Sequence, residues 1–183
     1  MKQHNSARQL LISFFASALF LMFFSSSIKA ADVPLKIQVA IIVKILNYDS
    51  NSASRVQTIN VVIDNSSASE KTELKSAFNS IAGVKIAGKP VEIKFIAPDE
   101  ISNSQGVLYL PSKSSKATLA IAIKIAESKK IPLFAGNRGM TEKGAAVSID
   151  LKNEKPQIVI NAKQSMKMGM KLASQLLKLS EII

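Results

Sequence analysis

In "PLKIQVAIIVKILNYD", Pro34 to Asp49, apolar positions recur at helical spacing. Leu35, Val39, Ile42, Val43 and Leu46 share one side, and Lys36, Ala40, Lys44 and Asn47 form a more polar stripe opposite. The spacing predicts a helix with Pro34 at its first position. "SNSAS", Ser50 to Ser54, reads as a loop. "VQTINVVID", Val56 to Asp64, then reads as a strand ending in the turn "NSSAS". Ser67-x-x-Glu70 is a capping-box pattern. It opens a helix whose stripe is Leu74, Ala77, Phe78 and Ile81 and whose end is marked by Gly83. Gly88-Lys89-Pro90 turns the chain into a second strand, "VEIKFI", Val91 to Ile96.

The alternation continues. "GVLYL", Gly106 to Leu110, predicts a third strand, and "SKSSKATLAIAIKIAESKK" a helix with Leu119, Ile123 and Ala126 on one face. "IPLFAG", Ile131 to Gly136, predicts a fourth strand. Strands alternating with helices imply an α/β fold, a mainly parallel sheet flanked by helices on both faces. The rhythm then changes: "AAVSIDL" and "QIVINA", joined by "KNEKP", read as a C-terminal antiparallel hairpin. Asn161 is placed to cap a long final helix running from Ala162 to Ile183. Its predicted apolar face is Met166, Met170, Ala173, Leu176, Leu177 and Ile183. A close helix–sheet approach would account for Gly169 in its interior.

The first thirty residues follow a different logic. Lys2 and Arg8 precede the uncharged run "LLISFFASALFLMFF", Leu10 to Phe24, and small residues follow, ending at Ala30. That order is a secretory signal peptide, with cleavage expected after Ala30 and export of the rest of the chain. The fifteen-residue core is short for a membrane span, which needs about 20. Residues 31–183 are then one mature domain, long enough for one core.

Removing the leader changes the composition. Five of the eight phenylalanines and the sole histidine, His4, leave with it, so the mature chain has no Cys, His or Trp. Nucleophilic catalysis built on histidine is thereby excluded, as are metal and haem sites that need Cys or His. The thirteen acidic residues read as scattered, with neither an Asp-x-Asp nor a Glu-x-x-Glu cluster expected, and no Ser-x-x-Lys of the penicillin-binding type is found. An enzyme is not expected, nor a cofactor or a metal. The mature chain keeps 21 basic and 13 acidic residues, a net charge of +8. Its lysines are spread along the chain with few aromatics, so nucleic acid is not an expected partner. Anionic membrane surfaces or acidic partners fit better.

"PLFAGNRGM", Pro132 to Met140, is the most informative loop. It lacks the Gly-Lys-Ser/Thr of a P-loop, the third glycine of a dinucleotide fingerprint and a following helix. One reading is a turn. The other rests on position, because the loop follows the fourth strand, at the carboxyl edge where open α/β sheets bind ligands. Gly136, Asn137 and Gly139 with Arg138 are candidate ligand or partner contacts there, joined by Asp64, Asn65 and Ser112 from neighbouring strand ends. Arg138 is one of only two mature arginines against nineteen lysines, and its fork suits a carboxylate or phosphate.

Lys143-Gly144-Ala145-Ala146-Val147, then "KPQIVIN", Lys155 to Asn161, and "SQLLKL", Ser174 to Leu179, make the ending of this chain. With "VKILNYD" and "AGKPVEIKFI", this ending resembles the YfiR-like family of exported bacterial proteins. The resemblance implies a periplasmic α/β sandwich. It also implies a non-enzymatic regulator in cyclic-di-GMP signalling, since the best-known type restrains an inner-membrane diguanylate cyclase by touching that enzyme's periplasmic domain. That type carries redox-linked disulfides. This chain has no cysteine, so the redox role does not carry over. The expected function is a regulatory binding module acting on a membrane-bound signalling protein, of the cyclase or sensor-kinase type. The alternative is a small solute-binding protein for an anionic ligand, which would need a homodimer to supply two lobes.

Overall fold

The computed structural model describes residues 33–64 and 66–183. The leader and its cleavage site, and Asn65, lie outside the described residues. The first predicted helix forms as α1, Leu35–Asn47, and buries Val39, Ile42, Ile45 and Leu46. A short helix, α2, Ser52–Arg55, replaces the loop expected at Ser50 to Ser54. Asp49 nucleates it: its carboxylate accepts from the Asn51 amide at 3.1 Å and the Ser52 hydroxyl at 3.0 Å.

The strands are β1, Thr58–Val62; β2, Lys85–Ile86; β3, Lys89–Pro90; β4, Glu92–Ile96; and β5, Val107–Leu110. β6, Leu133–Ala135; β7, Val147–Lys152; β8, Lys155–Ile160; and β9, Glu181–Ile182, follow. Seven of them make one sheet in the order β4-β1-β5-β6-β7-β8-β9, and β2 and β3 form a separate hairpin. From β4 to β7 every pairing is parallel; β8 runs antiparallel to β7 and parallel to β9. The expected mostly parallel α/β fold with a late antiparallel hairpin is therefore present. Every residue of β5 and β6 is buried, the sign of a strand covered on both faces. β4, at the edge, is only half-buried. In the β7–β8 hairpin, Asn153 and Glu154 both take positive φ, the requirement of a two-residue turn that follows strand twist.

Helices α3, Ala68–Asn79, and α4, Lys116–Lys129, flank the sheet. The capping box at the start of α3 is reciprocal, Ser67 accepting from the Glu70 amide and Glu70 from the Ser67 amide. Leu74, Ala77 and Phe78 point into the core, as their spacing predicts.

The long final helix does not form. The chain instead makes α6, Ala162–Lys167, capped by Asn161, then α7, Ser174–Lys178, and then β9. The break falls at Gly169, whose φ of +73° a right-handed helix cannot hold. Its carbonyl accepts from Asn51 at 2.9 Å and from the Arg55 guanidinium. Arg55 also donates to the Lys130 carbonyl at 2.7 Å, and a Cβ on Gly169 would collide with its guanidinium. Beyond the break the segment pairs with the α1–α2 corner: Asp49 accepts from the Lys171 amide at 2.7 Å, and Ala173 donates to the Tyr48 carbonyl at 2.9 Å. The predicted apolar face is broken up accordingly. Met168, Met170 and Leu176 are buried, whereas Met166 is 70% exposed.

Candidate functional site at the carboxyl edge of the sheet

β1 is the point where the sheet changes direction. The chain leaving β1 returns on one side as β4, and the chain leaving β4 crosses to the other side as β5. The crevice outside the carboxyl ends of β1 and β5 is the place where such sheets bind ligands. A cleft of about 270 Å³ lies there, between the start of α1, the first turns of α3 and the loop after β5. Val33, Leu35, Leu74 and Pro111 give it apolar walls. Gln38, Ser66, Glu70, Glu73, Tyr109, Ser112 and Lys113 give it polar groups.

The deep polar groups are held by one another. Tyr109 is 1% exposed, and its hydroxyl donates to Gln38 Oε1 at 3.2 Å, while Gln38 Nε2 donates to the Val33 carbonyl at 2.8 Å. Toward solvent, Lys113 pairs with Glu70, joining the β5 loop to α3 across the crevice. Glu73 lies one helical turn beyond Glu70. The Glu70-x-x-Glu73 spacing thus corrects the reading of the acidic residues as merely scattered. Gln38 also carried a signal: it is a polar residue four positions before Ile42, on the buried side of α1.

Most of the sequence-predicted residues do meet at this edge. Asp64, just past β1, is 6% exposed and accepts from the Ser115 amide at 2.7 Å, tying β1 to the start of α4. Burial pushes its pKa up, but hydrogen bonds from Thr118 and Ser115 outweigh that and hold the carboxyl below its usual range. A lowered folded-state pKa stabilises the fold above the ordinary carboxylate range, and that contribution is lost as pH falls through the lowered value. Asp64→Asn should therefore cost about 1–3 kcal/mol at neutral pH. In urea titrations the gap from the parent should close in acid; a gap independent of pH would contradict this role.

Ser112 lines the cleft, and its carbonyl accepts from Asn137 Nδ2 at 3.0 Å. Gly136 packs flat against the same loop, where a Cβ would lie 2.9 Å from the Pro111 carbonyl carbon. "PLFAGNRGM" is more than a turn: a short helix, α5, Arg138–Glu142, follows it, and Asn137 caps that helix by accepting from the Met140 amide at 3.1 Å. This corrects the expectation that no helix follows. Gly139 lies in its first turn. Arg138 turns to the other side of the loop. Its guanidinium pairs with Glu142 and with Glu181 of β9, contacts that hold both the arginine above and Glu181 below their usual pKa ranges. The fork predicted for an external anion is filled by carboxylates of this chain. Arg138→Ala should hardly move the melting temperature, because exposed ion pairs contribute little. A large drop would show that the clamp on β9 matters to the fold.

Among the described residues, no three Asp, Glu, His or Cys side chains lie close enough to hold a metal ion. What the cleft offers is hydrogen bonding and charge. A family model described as YfiR/HmsC-like (DUF4154) matches residues 35–181, from the first helix to the last strand. The chain belongs to the YfiR/HmsC-like family. That match spans the switch-point cleft, the "PLFAGNRGM" edge and the Arg138–Glu181 clamp, so all three are parts of the YfiR/HmsC-like domain. None of the curated proteins matches. Among solved structures, the ABC domain in complex with L-Trp from Streptococcus pneumonia is similar, with 17% identity and a TM-score of 0.56. That match covers 82% of this chain and 62% of the other. A conserved domain protein from Vibrio cholerae has the same identity and TM-score, over 84% of this chain and 61% of its own. The YfiR/HmsC-like chain thus shares their fold and spans about three fifths of their length.

Proposed function

We propose that this protein is an exported, periplasmic regulatory module that binds a membrane-bound signalling protein, of the diguanylate cyclase or sensor-kinase type, and catalyses no reaction itself. Membership of the YfiR/HmsC-like family across residues 35–181 carries the reading. The leader pattern of residues 1–30 and the absence of His and Cys after it agree with it. The carboxyl edge, with Gly136, Asn137, Gly139, Asp64 and Ser112, is the surface proposed for the partner, and Arg138 borders it. The test is crosslinking of the tagged chain in envelope fractions, followed by mass spectrometry. An inner-membrane signalling protein should be captured, and capture should weaken in Asn137→Asp. Recovery of soluble periplasmic proteins alone would sink the proposal.

The cleft between β1 and β5 favours a second reading, a small solute-binding protein. The similar streptococcal domain holds L-Trp. An anionic ligand here would have to draw Lys113 away from Glu70, and a second copy would have to close the open side. A thermal-shift screen separates the two: selective stabilisation by one small molecule, together with dimer formation, supports solute binding over regulation.

A further inference from the structure

Four apolar side chains are exposed on the last strand and just before and after it. Leu179 is 76% exposed, Ile182 46%, Ile183 38% and Leu177 36%. The hydrogen bonds run this segment along β8. The Leu179 carbonyl accepts from Gln157 of β8 at 3.4 Å, and the Ile183 amide donates to the Ile160 carbonyl at 2.9 Å. The stretch of sequence that carries them is basic: from Lys152 to Ile183 the chain has six lysines and two glutamates. One of those glutamates, Glu181, is already neutralised by Arg138 and Lys152.

We propose that this C-terminal edge docks on an anionic lipid bilayer, with Leu179 and its apolar neighbours entering the interface and Lys155, Lys163 and Lys178 meeting headgroups. Three observations favour lipid over protein. The exposed set is aliphatic, without the Trp, Tyr or free Arg that anchor protein interfaces, and the charges beside it in sequence are lysine, which such interfaces deplete. Lysine stems instead suit a bilayer surface, where the apolar part lies along the boundary and the ammonium reaches the phosphates. The sheet edge itself resists strand addition by a second copy. The Ile160 carbonyl faces outward to β9, so alternation turns Pro156 outward too, and proline has no amide to offer an added strand.

The docking does not depend on the identity of any signalling partner. The probe is a pure phosphatidylglycerol vesicle, with phosphatidylcholine vesicles as control, and the protein is the processed chain beginning near Ala31, which contains the whole buried core described here. In co-sedimentation at low salt the chain should bind phosphatidylglycerol and not phosphatidylcholine, and binding should fall as salt rises. Leu179→Gln should lower the partition about tenfold, the loss of one inserted leucine, at an unchanged melting temperature. Lys178→Glu should lower it as well. Failure to bind phosphatidylglycerol would overturn the proposal. So would binding that ignores Leu179→Gln, which would assign the attraction to general positive charge. Loss of partner crosslinking in Leu179→Gln without any vesicle binding would overturn it too, and would make the patch a protein interface.

Discussion

Gly136→Ala should destabilise the protein by about 3 kcal/mol or more, at the upper end of overpacking effects. The glycine sits where the loop after β6 presses on the loop after β5, and an added methyl would meet the backbone of Pro111 and Ser112. Backbone cannot rotate away as a side chain can. The Gly136 amide also donates to the Leu110 carbonyl at 2.8 Å, so the two strands cannot part without losing that bond. The disturbance would spread to the candidate site, because Asn137 holds Ser112 from the same loop. Urea denaturation checks the result: a midpoint within error of the parent would mean that the β5 loop yields freely. Gly139→Ala is the contrasting control. Its nearest neighbour is the Asn137 side chain at 3.4 Å, an ordinary contact, and the change should be mild.

Phe78→Ala should cost about 3–5 kcal/mol. Phe78 is fully buried on α3, and its ring lies 4.7 Å, centroid to centroid, from Tyr109 in a tilted contact. Removing it leaves a void under the strand that carries the cleft floor and frees Tyr109 to leave Gln38. Calorimetry should show a lower melting temperature, and a ligand or partner that uses the cleft should bind more weakly in proportion. Phe78→Leu, which refills most of the space, should recover most of the loss. A fully stable alanine variant would mean that the core closes over the gap.

The parts of this fold legible in the sequence are those fixed by local spacing. α1, α3 with its capping box, and α4 each announce a buried stripe, and the strands β1, β4, β5 and β6 fall between them in order. The β7–β8 hairpin was readable from two apolar runs separated by a polar turn. The end of the chain was not. "AKQSMKMGMKLASQLLKL" has residues that favour a helix throughout apart from Gly169, whose penalty of about 1 kcal/mol a long helix can absorb. The break is decided by Arg55 and Asn51, more than a hundred residues earlier, which take the Gly169 carbonyl. No local pattern contains that information. The site divides in the same way. Asp64, Ser112, Gly136 and Asn137 could be placed together because strand ends of a parallel sheet share an edge. Arg138 was placed there by the position of its loop, its rarity and its fork, but its direction depended on Glu181, a residue read as part of a helix. Tyr109 and Gln38 went unnoticed because each sits within an apolar stretch.

The knot at Asp49 bears on the order in which the chain assembles. Asp49 is 2% exposed, and one of its carboxylate bonds reaches the amide of Lys171, across 122 positions of sequence. Closing so wide a loop carries a large entropic penalty, so this contact belongs to the end of folding. A polypeptide emerging from its amino end first would hold the Asp49 carboxylate and the Arg55 guanidinium with only part of their hydrogen bonds until the stretch from Gly169 to Leu172 arrived. An unfinished chain is therefore kept from settling prematurely. A copy truncated before Gly169 should remain sensitive to protease.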